Sequence, residues 1–172
     1  VSLLAEINGE EIYSKYLPQL EKEYAFWMEG MEKMSPTYRI HRRLVRLGDG
    51  TILNRYWDDF EGPRDESFRE DFEIAKESGR PVEEVYKDIR AAAESGWDFS
   101  SRWLKDGRNL SSIRTTQLLP VDLNSLLYNL EMTISKAHKI NGNSEKETLF
   151  LQRAEQRKEA ILGYLYHSPA GY

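Results

Sequence analysis

The chain contains no cysteine, which excludes disulfides, thiolate metal ligands and thiol nucleophiles. It lacks any run of roughly 18 or more apolar residues, so no segment reads as a bilayer-spanning helix. Basic excess is also missing, since 29 acidic against 24 basic residues leave a formal net charge of -5. A surface of that sign offers no pull toward nucleic acid or an anionic membrane, and neither is expected as a partner. No glycine-rich loop ends in Lys-Ser or Lys-Thr, and no dinucleotide fingerprint occurs. The three histidines, His41, His138 and His167, are scattered without metal-ligand spacing, so no metal site is expected. No basic-then-apolar leader opens the chain. It begins Val1-Ser2 and closes Pro169-Ala170-Gly171-Tyr172 directly after a helical pattern, so truncation at both ends is the expectation.

What is present suits an ordered core: 40% hydrophobic and 12% aromatic residues in a chain of 172, one domain by length alone. Tyr13, Leu17, Leu20, Tyr24, Trp27 and Met31 recur at helical spacing and predict a helix over 10–32. Pro18 either lies within it or opens it, because an interior proline removes a bond. The partly alternating run 38–46, the turn signal Gly48-Asp49-Gly50 and the run 51–56 predict one hairpin. Its Arg39, Arg42, Arg43 and Arg46 read as a solvated face rather than a phosphate-binding strip. Helices follow over 67–78 and 81–94, the second with Val82, Val85, Tyr86 and Ile89 buried. Another spans 121–140 with Leu123, Leu126, Leu127, Leu130 and Ile134 inward and His138 at the surface. The last, 144–166, has Leu149, Ala160, Ile161 and Leu165 as core. Helices paired by short turns, with a single hairpin inserted, imply an all-α framework, a bundle or helical toroid. Within it the irregular stretches 57–66 and 95–120 stand out, because long connections usually carry function.

Those stretches hold the candidate chemistry. Ser95-Gly96-Trp97-Asp98-Phe99-Ser100-Ser101-Arg102-Trp103 sets a carboxylate among aromatic residues just past a helix end. Trp97, Phe99 and Trp103 can supply a low-dielectric wall that keeps a proton on Asp98 near neutrality. Capping, or an ion pair with Arg102, is the competing use of Asp98. In Gly62-Pro63-Arg64-Asp65-Glu66, Arg64 brings donors and Glu66 acceptors, a pairing that can hold one sugar hydroxyl. Acidic residues at a helix start are also favourable for the helix alone. The residues rank a glycan-handling enzyme first and a helical interaction module second.

A resemblance sharpens this. Leu53-Asn54-Arg55-Tyr56-Trp57-Asp58-Asp59, Pro63-Arg64-Asp65-Glu66-Ser67, the 94–103 segment, Ile113-Arg114-Thr115-Thr116 and Pro120-Val121-Asp122-Leu123-Asn124 resemble bacterial-type trehalases, in order. So does Leu20-Glu21-Lys22-Glu23-Tyr24-Ala25-Phe26-Trp27-Met28. The resemblance implies hydrolysis of α,α-trehalose to two glucoses with inversion, without a cofactor, on an (α/α)6 barrel. This chain would form part of that barrel, with an inserted β-hairpin and long functional loops. It places Asp98 as general acid, Arg64, Asp65 and Glu66 as substrate contacts, and Gly96 as a backbone contact. Asp65 stands where relatives often carry proline, so its contact is expected through the backbone. The family's general-base glutamate and several upstream sugar-binding residues have no counterpart here.

Residues 1–172 are therefore expected to be a fragment of one trehalase catalytic domain, incomplete at both ends and inactive alone. Its expected partners are trehalose or glucose, the remaining portions of the trehalase chain, and other copies of itself through bare apolar faces. The alternative is a non-catalytic helical interaction or sugar-binding module derived from a trehalase. Between cytoplasm and periplasm the reading leans slightly to the cytoplasm.

Overall fold

Among the described residues, 1–97 and 99–166, the computed structural model has six α-helices and one small antiparallel sheet. The helices are α1 (Ser2–Asn8), α2 (Glu11–Trp27), α3 (Phe68–Ser78), α4 (Val82–Glu94), α5 (Val121–Ile140) and α6 (Ser144–Ala160), with a π-helical turn over Ile161–Leu165. The all-α expectation holds, with paired helices of the kind a helical toroid repeats. The chain divides into two compact units, Val1–Asn54 with the chain from Val121 onward, and Arg55–Pro120.

In the first unit α5 packs against both α2 and α6. Leu123, Leu127, Leu130 and Ile134 are buried as their spacing predicts, whereas Leu126 falls on the open side. A helix with neighbours on two faces buries more than one stripe. His138 is accordingly buried rather than at the surface, stacked on Phe150 with ring centroids 5.9 Å apart. Its Nε2 lies 3.1 Å from Glu21 Oε1. Leu149 is exposed, and Phe150 and Ala154 take the inner face of α6 instead. Asn143 caps α6, its side chain accepting from the Lys146 N–H. Pro18 lies inside α2 on the exposed side, where the carbonyl it deprives of a partner can turn to water.

The predicted hairpin is present as part of a three-stranded sheet in the order β1 (Ile40–His41), β2 (Leu44–Arg46), β3 (Ile52–Asn54). Gly50, at φ 94°, lies in the β2–β3 turn, a conformation that suits glycine. The 38–46 run is not one strand. It folds back at Arg42-Arg43, with Arg42 at φ 47°. The arginines divide accordingly: Arg42 pairs with Glu29 at 2.8 Å, while Arg43 is buried with its guanidinium 3.8 Å from the Phe26 ring centroid.

A polar network holds the core of this unit. Arg157 of α6 donates from Nε and Nη2 to the Glu131 carboxylate of α5 at 2.9–3.1 Å. Its Nη1 donates to Asn54 Oδ1 and Asn124 Oδ1. Asn54 and Asn124 then exchange bonds, the Asn54 N–H donating to Asn124 Oδ1 and Asn124 Nδ2 to the Asn54 carbonyl. All four residues are buried, and desolvated groups of this kind demand complete pairing. Arg157→Met should therefore cost about 3–5 kcal/mol of stability by stranding Glu131. Exposed Arg69, paired with Glu73 on the surface of α3, should cost less than about 1 kcal/mol when replaced by alanine. Urea titration of both variants checks the contrast.

Candidate functional site

The second unit carries the residues that the sequence nominates. Gly79, at φ 65°, ends α3, and Pro81 leads into α4, so the two helices pack together across a short connection. Val85, Tyr86, Ile89, Ala91 and Ala92 are buried on α4, while Val82 in its first turn is exposed. Trp103 belongs to this core, 1% exposed and edge-on to Tyr56 at 6.1 Å. It is thus a packing residue and not part of an open aromatic wall. Trp97 is half exposed, with the Arg102 guanidinium 4.0 Å from its ring centroid.

Arg64 is the best-fixed of the nominated residues. Its backbone N–H donates to Asp71 Oδ2 at 2.9 Å, its Nε to the same oxygen at 3.1 Å and its Nη2 to Oδ1 at 2.8 Å. Asp71 is fully buried, so this two-pronged charge-assisted contact is shielded from solvent. The guanidinium carbon lies 4.8 Å from the Phe99 ring centroid. The 62–66 and 95–103 segments therefore meet at Arg64. Asp65 and Glu66 are exposed in a 3-10 turn that leads into α3. Gly96 follows α4 at φ 72° with open space where a Cβ would stand. Asp98 lies outside the described residues, as does His167.

The surrounding loops are held by charged side chains of α4. Glu94 accepts from the Trp57 N–H at 2.8 Å, and Asp58 accepts from Arg90 Nε at 2.9 Å. Fully buried Asp88 accepts from Arg80 Nη2, from the Thr116 N–H and from the Thr116 hydroxyl at 2.7–2.8 Å. Arg55 donates to the Thr116 carbonyl and lies 4.5 Å from the Trp57 ring centroid; burial lowers its pKa. Asp106 accepts from the Asn109 and Arg108 amides and from Ser112, bonds that depress its carboxyl pKa.

Asp71 and Asp88, which hold these segments, lie outside the motifs that the sequence nominates. Their signal was available: each is an acidic residue on the buried face of an amphipathic helix, four before Ala75 and one before Ile89. A carboxylate on such a stripe implies a cation brought to it.

A cleft of ≈ 880 Å³ lies in the first unit, lined by Tyr24, Glu29, Arg46, Asp49, Glu131, Arg153 and others, none of them nominated. Burial and the nearby Glu131 push the Tyr24 hydroxyl up to about 12. Among the described residues, no group of three or more histidine, aspartate and glutamate side chains converges as a metal site requires.

A family model described as trehalase matches residues 1–172. The periplasmic trehalase of Pseudomonas aeruginosa is 54% identical over 174 residues, a match that takes in 100% of this chain and 31% of that protein. The chain thus spans about a third of the length of this relative. The leaning toward the cytoplasm is overturned, because a relative of this similarity is a periplasmic protein. A mildly acidic, cysteine-free composition is compatible with both compartments and could not separate them.

Gly96 gives a local test. A left-handed residue without steric neighbours should accept alanine at a cost of about 1 kcal/mol from backbone strain alone. Thermal unfolding of Gly96→Ala checks the value; a loss several times larger would mean that the glycine is needed for close packing.

Proposed function

The chain belongs to the trehalase family, and we propose on that premise that the protein containing it hydrolyses α,α-trehalose to two glucose molecules with inversion. The observation that carries the reading is the meeting of two loops. Phe99, next in sequence to Asp98, covers the guanidinium of Arg64, so the segment of the acid and the segment of the sugar contact are neighbours. Arg64 and Glu66 contact glucose hydroxyls, Asp65 and Gly96 contribute through the backbone, and Asp98 is the general acid.

Asp98 gives its proton to the glycosidic oxygen as the bond from that oxygen to one anomeric carbon breaks. One glucose leaves with that proton. A water attacks the same carbon from the opposite face and passes its own proton to a second carboxylate. In an inverting site the two carboxyl groups stand roughly 6.5–9.5 Å apart, leaving room for the water. That second carboxylate comes from the portion of the protein outside residues 1–172, consistent with a segment about a third as long as its relative. The same portion covers apolar side chains that these residues leave open, Phe68 and Phe72 of α3 and Leu3 and Ile7 of α1. In the isolated segment those faces drive self-association. The proposed compartment of the whole protein is the periplasm, after the named relative.

Glucose release from trehalose by the full-length protein and by the pure 172-residue chain tests the division of labour. Turnover is expected only from the full-length protein. In that protein Asp98→Asn should lower kcat about 10²–10⁴-fold, the range a general acid supplies, with an unchanged circular dichroism spectrum. Undiminished turnover by the variant would displace Asp98 from the acid role.

A further inference from the structure

We propose that Asp71 is a positioning residue of this sugar site, acting through Arg64 to fix the plane and the height of its guanidinium. The inference rests on the reading of Arg64 as a glucose contact and adds a residue that the family resemblance did not single out.

Three restraints converge on one side chain. The Arg64 N–H, Nε and Nη2 all donate to Asp71, at 2.9, 3.1 and 2.8 Å. Two bonds from the guanidinium edge fix its plane, because both carboxylate oxygens are engaged in a fork. The backbone bond fixes the distance between the 64–66 segment and α3, so the side chain cannot shift along the helix without losing it. Phe99, with its ring centroid 4.8 Å from the guanidinium carbon, adds a contact from the 95–103 segment. Asp71 cannot follow a moving arginine either. It sits in the first turn of an eleven-residue helix, fully buried, one helical turn from buried Ala75.

The arrangement costs less than an unpaired buried charge. A sugar hydroxyl needs donors at a set distance and angle, and a misplacement of about 1 Å can cost 10²-fold in rate. Placing the carboxylate on α3 instead of on a loop gives the donor the rigidity of the helix. The chemistry therefore commits Asp71 to hydroxyl recognition and leaves it no part in proton transfer.

The experiment is a double-mutant cycle in the full-length protein, with kcat and KM for trehalose measured across pH. Arg64→Met, Asp71→Asn and Arg64→Met/Asp71→Asn are compared. If Asp71 acts through Arg64, Asp71→Asn lowers kcat/KM about 10–10²-fold and keeps both limbs of the pH profile in place. In the Arg64→Met background the same change then costs no further activity, and it raises the melting temperature by removing a stranded buried charge. Independent, additive losses in the double variant would overturn the proposal, as would wild-type kcat/KM in folded Asp71→Asn. Full activity of Arg64→Met would instead sink the reading of Arg64 as a sugar contact, and the proposal with it. Should Asp71→Asn not fold, Asp71→Glu keeps the charge and displaces it by one methylene. It must show the same selective loss, and an unchanged kcat/KM in the folded variant refutes the assignment.

Discussion

A carboxylate removed from water has to keep its charge partnered, and that constraint organises each unit of this chain. Glu131 meets Arg157, Asp71 meets Arg64, and Asp88 meets Arg80, with exposure of the three carboxylates at 0–1%. None of these pairs is a gift to stability, because desolvation offsets most of the attraction. Their effect is on geometry. Each carboxylate admits one arrangement of its neighbours and penalises the rest. Glu131 draws Arg157 inward, and Arg157 in turn orders Asn54 and Asn124.

In the second unit the same device turns irregular chain into a defined surface. Long connections between helices lack the repeating bonds that fix a helix, so their conformation has to be specified from outside. Asp71 takes hold of the chain at Arg64, Asp88 at Arg80 and Thr116, and Glu94 at Trp57. Apolar packing supplies the remaining grip. Trp103 and Ile113 are buried, and Leu104 bridges Ile113 in antiparallel fashion. A loop held at several points by a helix pair can carry a carbohydrate site with the precision that catalysis requires.

Much of this was legible in the residues. The helical stripes located α2 to α6, and Gly79 and Pro81 marked the α3–α4 connection where the structure has it. Gly48-Asp49-Gly50 marked the β2–β3 turn. What escaped was set by tertiary context. His138 reads as a surface residue beside two lysines, yet α2 and α6 enclose that face of α5. The fold-back at Arg42-Arg43 brings Arg43 against the Phe26 ring, a partner no local pattern announces. Arg64 was nominated as a sugar contact by its pairing with Glu66 and by the resemblance, but Asp71, which holds its guanidinium, was hidden as one acid among several on α3. Trp103 drew attention for its neighbours in sequence, although its place is in the core.

The proposed chemistry depends on where the sugar sits. A crystal structure of the full-length Asp98→Asn protein with trehalose bound measures this directly. Glucose hydroxyls are expected within about 3 Å of the Arg64 guanidinium, with its fork to Asp71 intact. Trehalose bound with no hydroxyl in reach of the Arg64 guanidinium would contradict it.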